Sequence, residues 1–278
     1  MPSMREIQEF EFSILIDVVA LCEKYHIRYY LSSGTLLGAV RHKGFIPWDN
    51  DIDIDMPIKD YRLFLKVARK ELPERYFVQN YTTDPCYNDM YTKIRVNNTT
   101  SLPVAWKNLK IHWGMGIDIF PLIGVYKNRG LAKVQAKLFS VNKALLSKDM
   151  ALATCDNTWK HSSLLRILYL LPRRIRHLIC KINELFIFKS FRTSDEIALV
   201  WQMLDLKYRK ELYLPTTQLD FEDRKFTAPQ NYDYILNQLY GDYMVPPPEP
   251  ERNGHEGSLG KIIYDLECDY SIYQNEMR

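Results

Sequence analysis

Most of the features that would place this chain outside a cell, across a membrane or on a nucleic acid are missing from its sequence. Its five cysteines, Cys22, Cys86, Cys155, Cys180 and Cys268, are odd in number and far apart. None forms a C-x-x-C pair, so neither a zinc site nor a disulfide framework is supported, and a reducing compartment is implied. The N-terminus, MPSMREIQEFEF, carries acids where a secretory signal needs an apolar run. No stretch reaches the roughly 18 uninterrupted apolar residues of a membrane span. The formal net charge is only +3, which removes the whole-molecule case for nucleic-acid binding. There is no internal repeat and no low-complexity tract. The Asn-x-Thr matches at Asn97 and Asn98 are read as chance, and His255, the single His of the polar tail, as a surface residue. These absences leave a cytoplasmic globular protein as the expectation. At 278 residues, 46% of them hydrophobic, the chain can bury a real core as one large domain or two modest ones.

What is present is concentrated in Tyr30–Pro57, YLSSGTLLGAVRHKGFIPWDNDIDIDMP. Asp49, Asp51, Asp53 and Asp55 occupy every second position. Over 50–56 the alternation is strict, with Asp51, Asp53 and Asp55 on one face and Ile52, Ile54 and Met56 on the other, a half-buried strand with a carboxylate face. Like charges at i and i+2 repel, so the arrangement costs stability unless cations occupy it. An EF-hand loop is excluded, since counting from Asp49 puts Ile54 where Gly is needed and Asp60 where Glu is needed. Ahead of this strand, the β-prone run 27–31 feeds Ser32-Ser33-Gly34-Thr35, and 35–40 reads as the first turns of a helix. Strand, Gly-containing turn and helix start together make a phosphate-binding geometry.

An amphipathic helix over 5–26 precedes this stretch, and a second, over 58–71, follows Pro57. Short β-prone runs occupy 75–79 and 90–96, and the polar loop 97–114 reads as a mobile flap. In Gly116-Ile117-Asp118-Ile119-Phe120-Pro121, Asp118 stands on the face opposite Ile117 and Ile119. If this strand lies beside 50–56, Asp118 completes a three-carboxylate cluster. Residues 127–212 read as helical. Within them, 164–192 holds Arg166, Arg173, Arg174, Arg176, Lys181, Lys189 and Arg192 against the single acid Glu184, interleaved with apolar residues. Two readings stay open, a surface for an anionic membrane or a helix pair packed on the core with a solvated basic face. A strand or hairpin over 221–226, a short helix over 231–240 ended by Gly241, and a rigid loop at 246–248 complete the chain.

Two carboxylates one residue apart, with a third from a neighbouring strand, suit one or two hard cations such as Mg²⁺ or Mn²⁺. The turn Ser33, Gly34 and Thr35 would hold phosphates. Arg41, Lys43, Lys93 and Arg95 would neutralise a diphosphate, and Trp48 would line the donor pocket. Phosphoryl or nucleotidyl transfer fits this set better than sugar hydrolysis, whose carboxylate pair needs no phosphate turn.

The run from Ser33 to Ile54, SGTLLGAVRHKGFIPWDNDIDI, resembles the signature of the LicD family. So do Gly116 to Pro121 and, near the end, Ala228-Pro229, Tyr240 to Met244 and Pro247-Pro248. The resemblance implies an α+β fold with a nucleotidyltransferase-like mixed β-sheet core flanked by helices and a helical insertion. It implies transfer of phosphocholine from CDP-choline, or of another phospho-alcohol from a CDP-alcohol donor, to a cell-surface glycan or its lipid-linked precursor. Gly34, Thr35, Asp51, Asp53 and Asp118 match the catalytic positions of that fold, with Asp51, Asp53 and Asp118 as metal ligands, or Asp118 as base. Asn50 and Ile123 depart from positions often acidic in relatives. The expected organisation is a catalytic core over 1–126, a basic helical insertion facing the acceptor over 127–212, and a segment over 213–278 packing back on the core. The expected location is the cytoplasm, at the inner face of the cell membrane through 164–192. The alternatives are a nucleotidyltransferase with another acceptor and a membrane-associated, non-catalytic assembly protein.

Overall fold

The alternating carboxylate segment becomes part of a seven-stranded mixed sheet. A computed structural model describes residues 2–154, 156, 160, 162–200, 203–204, 206–252, 254 and 259–276; Cys155 and His255 lie outside them. The first helix, α1 (Met4–Lys24), begins at a capping box in which the Ser3 hydroxyl accepts from the Glu6 N–H and the Glu6 carboxylate accepts from the Ser3 N–H at 2.7 Å. Then follow β1 (Tyr30–Leu31), α2 (Ser33–Arg41), β2 (Asp53–Pro57), α3 (Ile58–Glu71), β3 (Tyr76–Gln79), β4 (Thr92–Val96), β5 (Thr100–Pro103) and β6 (Gly116–Gly124). The sheet order is β1-β2-β6-β4-β3, antiparallel except for the parallel pair β2–β6.

Period-2 alternation divides the sheet into two chemical faces. Ile52, Ile54, Met56, Ile94, Ile117 and Ile119 are buried in the main core, and α1 and α3 pack against β6 on that side. The Tyr61 hydroxyl of α3 meets the Thr92 hydroxyl at 2.6 Å, which satisfies both polar tips inside the core. Asp53, Asp118 and Lys93 occupy the opposite face, in register: Asp53 stands beside Asp118 across the parallel pair, and Lys93 beside Asp118 across the antiparallel one.

The segment 127–212 differs from the all-helical expectation. It supplies α4 (Arg129–Leu146), α5 (Lys148–Ala153), α6 (Ser163–Leu170) and α7 (Arg173–Ile187), but also β7 (Glu196–Leu199) and β8 (Tyr208–Arg209). Strand β7 pairs with β6 at Leu122–Gly124, just beyond the stretch of β6 that β4 covers, and β8 extends the sheet by pairing β7. The β-branched and small residues of Glu196–Leu199 carry no helical period, and their partner is a strand far away in sequence. Helix α7 packs on α4 along a polar seam: Asn142 donates to the Cys180 carbonyl at 3.1 Å, Asn183 donates to Asn142 at 2.7 Å, and buried Arg176 donates to the Leu145 carbonyl and to Asp149. Its other face is exposed and carries a stripe of aliphatic side chains. With α6 it exposes Leu164, Ile167, Leu170, Ile175, Leu178, Ile182 and Leu185, Leu170 at 82% and Leu185 at 79%.

The expected flap over 97–114 is instead a packed unit. Tyr87, Leu102, Leu109, Ile111 and Trp113 form a second small core, and β5 pairs with β11 (Ile262–Asp265) from the C-terminal segment. The two tryptophans and the aliphatic side chains bury enough apolar area to order the loop. The hairpin β9 (Thr216–Phe221) and β10 (Arg224–Pro229), then α8 (Tyr232–Tyr240) ended by Gly241 at φ +64°, pack against α2, and α9 (Tyr270–Glu276) closes the described chain.

Candidate active site

The site is an open cleft of about 710 Å³ on the polar face of the sheet. Ser33 and Gly34 at the start of α2 form one wall, with Trp48, Asp49, Asp51, Asp53 and Asp118 beside them. Asp53 and Asp118 come from adjacent strands, while Asp51 sits just ahead of β2. Two hydrogen bonds fix the turn against the strand: the Asp53 N–H donates to the Thr35 hydroxyl at 2.8 Å, and the Ser32 N–H donates to the Asp53 carbonyl at 3.0 Å. Ser33 holds φ +45°, an uncommon backbone for a residue with a Cβ. A Cβ on Gly34 would lie 2.8 Å from Asp49 Oδ2, so a side chain there would displace that carboxylate.

Burial first, and then repulsion from Asp51 and Asp118, raises the Asp53 carboxyl well above the usual range, with Lys93 opposing. Deeper on the same strand, Asp55 is 1% exposed and pushed up to about 8 by burial, although hydrogen bonds from Ser32 and Tyr213 favour its ionised form. The cleft is acidic throughout, with Asp89 and Glu251 on its rim and Lys143 the lysine among its lining residues.

Several expected residues occupy other places. Lys93 gives its ammonium to both oxygens of Asp118, at 2.5 and 2.6 Å. Arg95 is buried, donating to Gln79 Oε1 at 2.9 Å and to the Gly114 carbonyl at 2.8 Å. Thr35 is buried with its hydroxyl committed to the Asp53 N–H, so it holds the turn onto the strand. Lys43, at φ +61°, is exposed on the far side of its loop, where its carbonyl accepts from the Glu222 N–H and its charge helps lower the Asp220 carboxyl. Arg41 donates to the Tyr243 carbonyl at 2.7 Å and sits 5.9 Å from the Trp48 ring, on whose face Arg252 stacks at 4.8 Å. Those two arginines and Trp48 make a cationic rim beside the acidic floor.

The carboxylates suit a hard divalent cation in their donor chemistry: their oxygens share a cleft, and their repulsion is recorded in the raised Asp53 carboxyl. Among the described residues, however, no three His, Cys, Asp or Glu side chains close on one point as a metal cage does. Asp118, expected as the third ligand, is held by Lys93. Asp51 and Asp53 alone are a fitting set for Mg²⁺, which is commonly bound by one or two carboxylates plus substrate phosphates.

Other residues of the cleft and of the cavity adjoining it were not singled out by sequence reasoning. Asp89 and Lys143 pair across the cleft from the loop before β4 and from α4, and Tyr240 reaches in from α8. Glu11 is the one that left a signal. It lies on the apolar stripe of α1, four residues after Ile7 and four before Leu15, and an acid at such a position is buried. Burial, then Asp51, Asp49 and Asp118, hold its carboxyl well above the usual range.

An acidic cleft beside a helix start, with a cationic aromatic rim, is the equipment of a group-transfer enzyme acting on a charged substrate. Comparison with known proteins agrees. The family model for the LicD/FKTN/FKRP nucleotidyltransferase domain matches residues 26–132. The chain is 30% identical over 270 residues to the lipopolysaccharide cholinephosphotransferase LicD of Haemophilus influenzae, covering 91% of this chain and 96% of that protein. The chain therefore belongs to the LicD family of transferases. A shorter stretch of 43 residues is 46% identical to the human ribitol 5-phosphate transferase FKRP, covering 16% of this chain and 9% of that protein. A stretch of 49 residues is 47% identical to an uncharacterized protein of Rickettsia prowazekii, covering 18% of each.

Proposed function

We propose that this enzyme transfers phosphocholine from CDP-choline to a hydroxyl of a lipopolysaccharide-type glycan or its lipid-linked precursor, with Mg²⁺ or Mn²⁺ at Asp51 and Asp53. The observation that carries the proposal is the meeting of the Ser33–Gly34 turn, Asp51, Asp53 and Asp118 in one cleft of a size common for small-molecule sites. The N-cap Ser32 makes no side-chain cap bond, which leaves the first N–H groups of α2 to an anionic oxygen. An anionic diphosphate entering so acidic a cleft needs its charge offset, and a divalent cation at the carboxylates would supply that and spread the charge developing on the leaving CMP. Arg252 and Arg41 at Trp48 are positioned to hold the nucleotide end. The acceptor oxygen attacks the choline-bearing phosphorus, the bond from that phosphorus to the bridging oxygen breaks, CMP leaves, and the acceptor hydroxyl's proton passes to solvent water. Phosphoryl transfer of this kind asks little of a general base, so Asp118, held by Lys93, is assigned to charge placement and not to proton transfer.

The acceptor's membrane anchor gives a role to α6 and α7. No described helix is long and apolar enough to cross a membrane. The exposed aliphatic stripe of these helices, with Arg166, Arg174 and Lys181 alongside, fits peripheral contact with an anionic bilayer. The deciding experiment is a screen of CDP-alcohols for CMP release with Mg²⁺ present and after EDTA. CDP-choline with Mg²⁺ is expected to release CMP; release unaffected by EDTA would sink the metal assignment, and no release from any CDP-alcohol would sink the transferase reading.

A further inference from the structure

A second cavity, of about 290 Å³, is lined by Asp51 and Asp118 but not by Trp48. Asp51, Asp89, Tyr91 and Asp118 line both it and the cleft, so the two spaces meet at the carboxylates. Its lining is rich in aromatic rings. Tyr87 and Tyr91 meet edge to face with centroids 6.0 Å apart, and Trp106 and Trp113 are tilted at 6.0 Å. Glu11 lines the same cavity, is 4% exposed, and its Oε2 has no hydrogen-bond partner among the described residues. The two cations in the lining are already committed, Lys93 to Asp118 and Arg95 to Gln79 and the Gly114 carbonyl.

We infer that this cavity holds the quaternary ammonium of the donor's alcohol and that Glu11 is a specificity-determining residue for it; the inference rests on the transferase reading above. Aromatic faces attract a cation through their quadrupole, and do so most strongly where water is excluded. A trimethylammonium group carries positive charge with no N–H to satisfy, so it fits a lining that combines aromatic rings with the buried Glu11 carboxylate. It also relieves the repulsion among Glu11, Asp51 and Asp118. A polyol such as ribitol carries no charge for the rings or for Glu11 to attract, so it gains less from this lining than a quaternary ammonium does. The cavity therefore separates the alcohols that the two characterised relatives use, in favour of choline. It also sets the layout of the reaction: the nucleotide lies on the Trp48 side of the carboxylates, the alcohol on the Trp106 side, and the phosphorus between them.

The test uses the full chain, titrated with tetramethylammonium chloride against tryptophan fluorescence, with sodium chloride as the ionic-strength control. Saturable binding is expected. Glu11→Gln and Trp106→Leu should each weaken it at least tenfold while binding CMP, measured by calorimetry, within twofold of the parent. In turnover the same variants should raise KM for CDP-choline at least tenfold, with kcat within threefold. Absence of saturable tetramethylammonium binding, or Glu11→Gln binding it as the parent does, overturns the inference. If tetramethylammonium binds as expected and no CDP-alcohol is turned over, the cavity assignment stands and the transferase reading falls. If CDP-choline is turned over and tetramethylammonium does not bind, the reverse holds.

Discussion

Asp55 offers a test of the electrostatics that needs no substrate. Its carboxyl is buried, 1% exposed, with Tyr213 donating to Oδ2 at 3.3 Å and Oδ1 without a hydrogen-bond partner among the described residues. Its folded value of about 8 lies above the unfolded value of 3.8. The sign follows from that order. The neutral form is the one the fold prefers, so the stability it contributes is fully present below about pH 4 and is lost as pH rises towards 8. At about 1.4 kcal/mol per unit, the loss by pH 7 is of order 4 kcal/mol. Asp55→Asn replaces the neutral acid by a neutral amide of the same shape, keeps an oxygen for the Tyr213 O–H, and cannot ionise. The assay is thermal unfolding from pH 5 to pH 9 in EDTA, so that no divalent cation contributes. At pH 5 the two proteins should lie within about 2 kcal/mol of each other. By pH 8 the variant should be the more stable by several kcal/mol, on the order of 10 °C in Tm for a chain of this size. Parallel Tm curves across the range would refute the argument, because they would mean Asp55 is already ionised in the fold at neutral pH.

Three further outcomes are expected. Thr35→Val removes the acceptor of the buried Asp53 N–H, which should cost about 1–3 kcal/mol and lower Tm by about 2–10 °C; an unchanged Tm would remove Thr35 from its positioning role. Asp53→Asn should cut CMP release by on the order of 100-fold or more, the scale of losing one preorganised charged group. It should also raise Tm at pH 8, because the fold no longer carries that repelled charge; near-parental turnover would contradict the site. Leu170→Glu combined with Leu185→Glu should abolish co-sedimentation with vesicles containing anionic lipid and leave Tm within about 2 °C, since both side chains are exposed; retained co-sedimentation would move the contact elsewhere.

Local patterns carried much of the fold in the sequence. Helix α3 ends where Leu72-Pro73 says it must, and the alternation of Asp and Ile placed β2 and its polar face, though the strand pairs only from Asp53 and leaves Asp51 ahead of it. Asp118 was readable because Ile117 and Ile119 told its face. The candidate cations were judged by charge alone. Lys93 and Arg95 sit on the correct face, but their partners, Asp118, Gln79 and the Gly114 carbonyl, come from other segments, and a sequence does not say which cation an acid already holds. Lys43 fell in a basic loop that bonds to Glu222 of the β9–β10 hairpin, where it is exposed and outside the cleft lining. Strand β7 was hidden for a similar reason, since its partner β6 lies more than 70 residues upstream, and β8 pairs in turn with β7. The aromatic cavity needed Glu11, Tyr87, Trp113 and Tyr264 to be brought together from four distant segments.

The parallel pairing of Asp53 with Asp118 has a consequence for how this enzyme can fail. Side chains alternate across a strand, so a slip of β6 by a single residue would turn Asp118 in among Ile54 and Ile94 and put Ile117 or Ile119 in the cleft. Such a chain would keep its helices and nearly all of its sheet hydrogen bonds, yet Lys93 would face an aliphatic side chain and the acidic cluster would be lost. Turnover is thus an all-or-none reporter of strand registration, able to count correctly folded molecules in a preparation whose circular dichroism shows no fault.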